Sequence, residues 1–397
     1  MASGPQRCWR IVHSESSTGW GGQEHRILAE LAGFRQRGCQ VWLFAPPEAQ
    51  IGQKATGLKL SVVPLRMGKL HFPFAVGRAA RCLRELGAEV LNTHSSRDGW
   101  IVGLAGRWAR TPLLIRTRHI DVDYPHRWLS GHAYTRLADH VLTTSERITR
   151  HFQAMFSLPS DRLTTVPTGI DLQRFSPDGP AADLPADPGL AALPVVGMVS
   201  VLRSWKGHDT FLQAARLLQD TGFPARYVIV GEGPVRPLIE AQAARLQLTG
   251  VLTMLGHRED VPALLRALSV LVIASTQHEG VPQIGLQALA TRTPVVGSDC
   301  GGRPEIIRPG ETGRLFPAGN AAALAAAIRE TLEQREATQA LRERGRARVE
   351  AQHSLEAMLE QIEGLYRRYL PVGSRTFGSG GANRPSQATP GTRAGNA

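Results

Sequence analysis

Ser275-Thr276-Gln277-His278-Glu279-Gly280-Val281-Pro282-Gln283-Ile284-Gly285-Leu286-Gln287 lies between two short apolar runs, Val270 to Ala274 before it and Pro294 to Gly297 after it. A strand, a glycine-proline turn, a helix and a second strand make one crossover unit of a parallel sheet. Gly280 lets the backbone come close to a ligand, and Pro282 suits the first helical turn, where an amide hydrogen is not needed. The helix is therefore expected to begin near Pro282, with its unpaired N–H groups and the positive end of its dipole turned to a phosphate. Gln283 and Gln287, four residues apart, share one face of it. A carboxylate at Glu279, an anion site at the helix start and side-chain amides behind it suit a sugar nucleotide. The expected donor contacts here are Gly280, Val281, Pro282, Gln283 and Gln287.

The same alternation of short apolar runs and longer amphipathic stretches extends over most of the chain. One series comprises Trp9 to His13, Val41 to Ala45, Leu60 to Val63, Val90 to Thr93, Leu113 to Arg116, Val141 to Thr144 and Leu163 to Val166. A second comprises Val195 to Val201, Tyr227 to Val230, Leu252 to Leu255, Val270 to Ala274 and Pro294 to Gly297. Between them, a Pro-, Asp- and Ala-rich segment without a clear period follows Thr168-Gly169-Ile170-Asp171 and reads as a linker. The expected fold class is α/β: two doubly wound, Rossmann-like parallel-sheet domains facing a cleft, with ligands at the carboxyl ends of the strands. The boundaries are residues 1–170 for the first domain, 171–193 for the linker and 194–350 for the second domain. The stretch Ala321 to Tyr369 is rich in good helix formers, and its last part, 351–372, is expected to cross back to the first domain. Residues 373–397 hold almost no apolar side chains and are expected to be disordered.

At 397 residues with a hydrophobic share of 42%, the chain has room for two ordinary cores. No apolar run approaches the roughly 18 residues of a membrane-spanning helix, and the start lacks a signal-peptide pattern. A cytoplasmic location is expected. Cys8, Cys39, Cys82 and Cys300 have neither metal-site spacing nor the look of a disulfide framework, and buried free thiols are expected. The formal charge of +12 is concentrated in residues 1–170, where 22 Lys or Arg stand against 12 Asp or Glu. That asymmetry suits an anionic membrane face or an acidic acceptor, and equally an Arg-rich solvated surface. Nucleic acid is not expected, for want of a basic run interleaved with aromatic residues.

Other motifs sit where strands give way to helices. Gly19-Trp20-Gly21-Gly22-Gln23-Glu24 brings Gly21 and Gly22 to a helix start, as a phosphate contact or a plain turn. It is not the G-x-G-x-x-G of a nicotinamide enzyme. Arg203-Ser204-Trp205-Lys206-Gly207 follows the strand that opens the second domain, and its two cations are placed to neutralise a departing diphosphate. Gly231-Glu232-Gly233-Pro234 is a further glycine turn. Gly256-His257-Arg258-Glu259-Asp260 could read a base edge, or simply turn with Asp260 as helix N-cap. His94 and His119 each end a strand and could handle a hydroxyl proton, although a buried, hydrogen-bonded histidine of purely structural use fits as well; Asp98 and Asp121 share that ambiguity.

Taken together, the chain resembles retaining glycosyltransferases of the GT-B fold, in particular glycosyltransferase family 4. The resemblance spans about residues 8 to 370 and rests on Gly21-Gly22, Arg203 with Lys206, Gly231-Glu232-Gly233-Pro234, the Glu279 segment, and Pro294 to Asp299 leading into Gly301-Gly302-Arg303-Pro304-Glu305. It implies transfer of a sugar from a nucleotide-diphosphate donor to a glycan or lipid-linked acceptor. It implies no cofactor and no metal, with Glu279, His119, Arg203 and Lys206 catalytic and Gly21, Gly22, Gly231, Gly256 and His257 on the donor side. The family carries a second Glu eight positions after the first. Here that position holds Gln287, which can still hydrogen-bond a ribose diol but lacks the charge that roughly doubles such a bond. A non-hydrolysing sugar-nucleotide epimerase and a catalytically silent nucleotide-sugar-binding protein are the alternatives; a dehydrogenase is weaker.

Overall fold

A computed structural model describes residues 8–68, 71–120, 127–277 and 280–371. Seven strands form the first sheet: β1 (Arg10–Ser14), β2 (Gln40–Ala45), β3 (Ser61–Pro64), β4 (Val90–Thr93), β5 (Leu113–Arg118), β6 (His140–Thr143) and β7 (Leu163–Thr165). The second contains β8 (Val195–Val199), β9 (Arg226–Val230), β10 (Leu252–Gly256), β11 (Val270–Ile273), β12 (Val295–Ser298) and β13 (Arg314–Phe316). Every pairing is parallel, in the orders β3-β2-β1-β4-β5-β6-β7 and β10-β9-β8-β11-β12-β13. The winding direction reverses at β1/β4 in one sheet and at β8/β11 in the other, which opens a crevice beyond the carboxyl ends of those strands.

The apolar runs are near-continuous because helices cover both faces of each sheet. With a side-chain period of two, neighbouring residues enter different cores. Ile11, Leu43, Val90 and Ile115 pack on one face of the first sheet with Trp9, Leu31 and Phe34. Val12, Phe44, Leu91 and Leu114 pack on the other with Ala79 and Ile101. In the second sheet Val196, Ile229 and Val272 face Phe211 and Ile328, while Val195, Val228 and Leu271 face Leu265 and Leu286.

The stretch from Ala321 to Tyr369 is three helices: Ala321–Glu333, Arg335–Gln352 and Leu355–Tyr369. The last belongs to the first domain's core. Its Tyr366 stacks on Phe34 at 5.3 Å between ring centroids and meets Trp9 edge-on at 5.6 Å. The chain crosses between the domains at two adjoining places. Ile170 donates its N–H to the His353 carbonyl at 2.7 Å, and Leu355 donates to Ile170 O at 2.9 Å. A Cβ on Gly169 would lie 2.7 Å from Leu355 Cα, so the two crossings touch.

Strand β13 was not expected from the sequence. It has three residues at a sheet edge, too few to display a period. The thiols also differ from expectation: all four are unbridged, but Cys8 is exposed, Cys82 and Cys300 are half-buried, and only Cys39 is buried. Residues 373–397, expected to be a disordered tail, lie outside the described residues.

Candidate active site

On the second-domain side, β8 leads to Arg203, the N-cap of a short 3-10 turn, Ser204–Lys206. Thr276 donates its backbone N–H to the Trp205 carbonyl at 2.8 Å, which sets the turn against the loop after β11. Gly207 is required for this approach: its φ is +77°, and a Cβ there would lie 1.9 Å from the Ala274 carbonyl oxygen. Arg203 is exposed with its guanidinium 5.9 Å from the Trp205 ring centroid, and Lys206 is half-buried. Burial, reinforced by the Lys206 ammonium, holds the His208 imidazole at about 4. Two cations thus stand at the open end of the strand beside the switch point. Gly231, at the end of β9, donates its N–H to Gly256 O at 2.7 Å and so ties β9 to β10. His257 is exposed. Asp260 occupies a helix N-cap position, but both of its carboxylate oxygens accept from Arg258 instead of from the helix.

The expected helix runs Gln283–Ala290, with Pro282 as N-cap and not inside the first turn. Gln283 does not wait on a ligand: its side-chain amide donates to the Gly22 carbonyl of the first domain. Gln287 is half-buried, and its amide has no side-chain hydrogen bond among the described residues. Glu279 and Asp121 lie outside the described residues.

On the first-domain side, Gly21 caps the helix Gly22–Gln36 in extended backbone, a conformation open to any residue. A Cβ on Gly22 would lie 3.5 Å from the Gln283 amide, an ordinary contact distance. The loops after β1 and β4 are laced by two carboxylates. Asp98 Oδ2 accepts from His94 N at 2.8 Å and Ser14 Oγ at 2.9 Å, while Oδ1 accepts from Ser95 N at 2.9 Å and Ser16 Oγ at 3.2 Å. Glu15 accepts from Ser17 N at 2.7 Å, from Ser95 Oγ at 2.5 Å and from the Gln23 amide. Burial and the Glu15 charge push Asp98 up to about 7, against the pull of these donors and of Arg116. His119, after β5, is buried and contacts His94 at 2.9 Å.

The two sides meet at Gly280. A Cβ there would lie 2.4 Å from the His119 carbonyl oxygen, so only a glycine admits the first domain at this distance. Lys54 reaches Glu259 across the junction at 2.6 Å. Glu305 accepts from the backbone N–H groups of Glu146 at 3.2 Å and Arg147 at 3.0 Å, and so caps a first-domain helix, Glu146–Phe156, with a second-domain carboxylate. The structure therefore brings His119, Gly280, Gln283 and Gly22 together across the junction and sets the Arg203–Lys206 turn against the loop after β11. It holds Gly256 and His257 at the far end of the same sheet edge.

Sequence reasoning missed His13, Glu30, Glu15 and Glu305. His13 lies inside a strand run and carries no motif; its signal is that β1, β4 and β5 are sheet neighbours, each delivering a histidine at its carboxyl end. Glu305 stood in the glycine-rich segment, but nothing local shows that a carboxylate will cap a helix in the other domain.

The chain matches the family model described as Glycosyl transferases group 1 over residues 189–348, and that described as Glycosyltransferase Family 4 over residues 20–174. It is similar to alpha-D-kanosaminyltransferase of Streptomyces kanamyceticus, 26% identical over 383 residues that cover 86% of this chain and 97% of that one. It is also similar to lipopolysaccharide core biosynthesis mannosyltransferase LpcC of Rhizobium leguminosarum bv. viciae, 30% identical over 249 residues, 60% of this chain and 68% of that one. In fold it resembles HepE from Anabaena, solved in complex with UDP and glucose, with a TM-score of 0.78, 19% identity and coverage of 90% and 99% of the two chains.

Proposed function

The chain belongs to the glycosyl transferases group 1 and is a glycosyltransferase of GT-B architecture; from that premise we propose that it moves a sugar, with retention at the anomeric carbon, from a nucleotide-diphosphate donor to an acceptor hydroxyl. The observation that carries this reading is the Arg203–Lys206 turn, held by the Thr276–Trp205 hydrogen bond beside the loop that meets the first domain. As the donor's glycosidic bond breaks, negative charge grows on the leaving diphosphate. Arg203, Lys206 and the N–H groups opening the helix after Pro282 stabilise it where it forms. By family resemblance, Glu279 contacts the donor sugar and Gln287 the ribose. HepE's complex with UDP supports a nucleotide donor, and LpcC supports an acceptor in cell-surface polysaccharide, lipopolysaccharide or glycolipid synthesis. Because the two cations serve the leaving group, transfer needs no metal.

The test is to incubate purified protein with uridine, guanosine and adenosine diphosphate sugars and acceptor extracts, reading nucleotide release and the anomeric configuration by NMR. The expected result is acceptor-dependent release with retained configuration, unchanged by EDTA. An epimerised donor formed without acceptor, or tight binding with no turnover, would replace this reading with one of its alternatives.

The membrane is a further partner in this proposal. No helix among the described residues is long and apolar enough to cross a bilayer. The helix Phe72–Glu85, however, exposes Phe72 and, at 81%, Phe74, with Arg78, Arg81 and Arg84 along it. Trp108 of the neighbouring helix, 59% exposed, lies 5.8 Å from the Arg84 guanidinium. Aromatic side chains beside arginines suit the headgroup region of an anionic leaflet, where each basic residue contributes about 1 kcal/mol. Peripheral docking at the cytoplasmic face would bring the cleft to a lipid-linked acceptor. Co-sedimentation with phosphatidylglycerol vesicles is expected at low salt, to weaken at high salt, and to fall when Phe74 and Trp108 are both changed to Ser. Absence of binding at low salt removes the membrane from the scheme.

A further inference from the structure

His13, His94 and His119 form a continuous chain of imidazole contacts through the first domain. His13 lies on β1, His94 follows β4 and His119 follows β5. His94 Nε2 is 3.0 Å from His13 Nδ1, and His94 Nδ1 is 2.9 Å from His119 Nε2. The three residues are 0%, 2% and 9% exposed. Burial holds all three rings well below the ordinary imidazole range, with Arg26 adding to the effect, and His13 falls to about 3. All three are neutral at working pH.

A neutral imidazole carries one N–H and one bare nitrogen, so it donates at one and accepts at the other. His94 touches a neighbour through each nitrogen and must therefore donate to one and accept from the other. The whole chain then runs in one direction. Either every ring carries its proton on Nε2, or every ring carries it on Nδ1.

The choice is made at the inner end. His13 Nε2 faces Glu30 Oε2 across 3.9 Å, and neither atom has a hydrogen-bond partner among the described residues. The other oxygen of Glu30 accepts from Arg26 Nε at 2.7 Å. Arg26 is itself fixed by Nη1 to Val166 O at 2.8 Å and Thr168 Oγ1 at 3.1 Å. Burial raises the Glu30 carboxyl and Arg26 opposes it. A guanidinium does not give up its proton, so a neutral Glu30 would strand a buried cation; the pair stays ionised. A carboxylate attracts an N–H and repels a lone pair, which puts the His13 proton on Nε2.

We propose that Glu30, held by Arg26 and acting through His13 and His94, fixes His119 as its Nε2–H tautomer, so that His119 Nδ1 offers a lone pair to a substrate hydroxyl. The links from Glu30 through His13 and His94 to His119 concern positioning only; His119 alone would touch substrate, and in that respect the inference rests on the reading above. His13, His94, Glu30 and Arg26 are positioning residues.

Long-range proton–nitrogen NMR on full-length protein with nitrogen-15 histidine reads the tautomers directly, with assignments from His13→Asn, His94→Asn and His119→Asn. The expected result is a protonated Nε2 and a bare Nδ1 on all three rings. A protonated Nδ1 on His94 or His119 in the parent protein overturns the proposal. Glu30→Gln supplies the second arm. With its oxygen still on Arg26, the new amide N–H₂ faces His13 Nε2, which must then accept, and all three tautomers should switch together. The switch gives His119 Nδ1 a hydrogen where it had a lone pair. Turnover with the preferred donor should fall about tenfold or more, the cost of an unmatched buried hydrogen bond. If Glu30→Gln folds and the His119 tautomer stays put, the chain does not transmit and the proposal fails. If the variant does not fold, the parent spectrum decides alone. A protonated Nε2 chain together with full activity in His119→Asn would leave the tautomer relay standing and remove His119 from the catalytic reading.

Discussion

Lys206→Ala is expected to lower kcat about 10²- to 10³-fold, the range seen when one donor to a developing anion is removed. The side chain is half-buried and lies on the turn that the Thr276–Trp205 hydrogen bond fixes in place, and backbone atoms alone make that bond. Truncation therefore removes the charge while leaving that backbone hydrogen bond in place. Steady-state release of nucleoside diphosphate, run beside a thermal melt, separates loss of charge from loss of fold. Lys206→Arg keeps the charge and should recover part of the rate. Near-parental turnover in a folded Lys206→Ala protein would place the leaving-group charge elsewhere, with Arg203 as the first candidate.

A single added methyl should be nearly as damaging at the domain junction. Gly280→Ala would place a Cβ 2.4 Å from the His119 carbonyl oxygen, well inside contact distance. The atoms that this Cβ would meet, of His119 and Thr144, all belong to the first domain, so the second domain should fold normally and the cost should appear as distance. Relief requires the first domain to move back by about an ångström, and misplacement on that scale costs about 10²-fold in rate. The loss should fall mainly on kcat, with donor binding largely kept, because the Arg203–Lys206 turn and the Gln287 helix lie on one domain. Donor titration by calorimetry and turnover measured on the same sample would show it. Full activity would mean that the catalytic arrangement does not use this closed contact.

What the sequence disclosed and what it withheld divide along a physical line. Strands buried on both faces announce themselves by local composition: Val90 to Thr93, Val195 to Val199 and Val270 to Ile273 are strands in the structure as they are apolar runs in the chain. The division into two doubly wound sheets follows from the same local signals, whereas the order of strands within each sheet does not. Contacts between elements distant in the chain leave no such trace. Gln283 looked like a ligand contact because its position on the helix is local information, whereas the Gly22 carbonyl that takes its amide comes from 261 residues away. Glu305 and the helix it caps are separated by 159 residues, and Lys54 and Glu259 by 205. His94 and His119 could be noticed singly at strand ends; that their rings join, with His13 behind them, depends on β1, β4 and β5 lying side by side.

The helix Leu355–Tyr369 puts the order of synthesis at odds with the order of structure. Met358, Leu359, Ile362, Leu365 and Tyr366 complete a core whose other members begin at Trp9. A ribosome adding about 5–20 residues per second needs on the order of ten seconds or more to pass from the end of the first sheet to this helix. During that interval the nascent first sheet has helices over one face and a gap over the other, with Trp9 and Phe34 beneath it. The second domain meets no such delay, since its strands and covering helices leave the tunnel in one block. In the cell the amino-terminal half is therefore made first and finished last, and a stalled or truncated chain presents an aromatic-lined face to chaperones and proteases while the second domain is already folded.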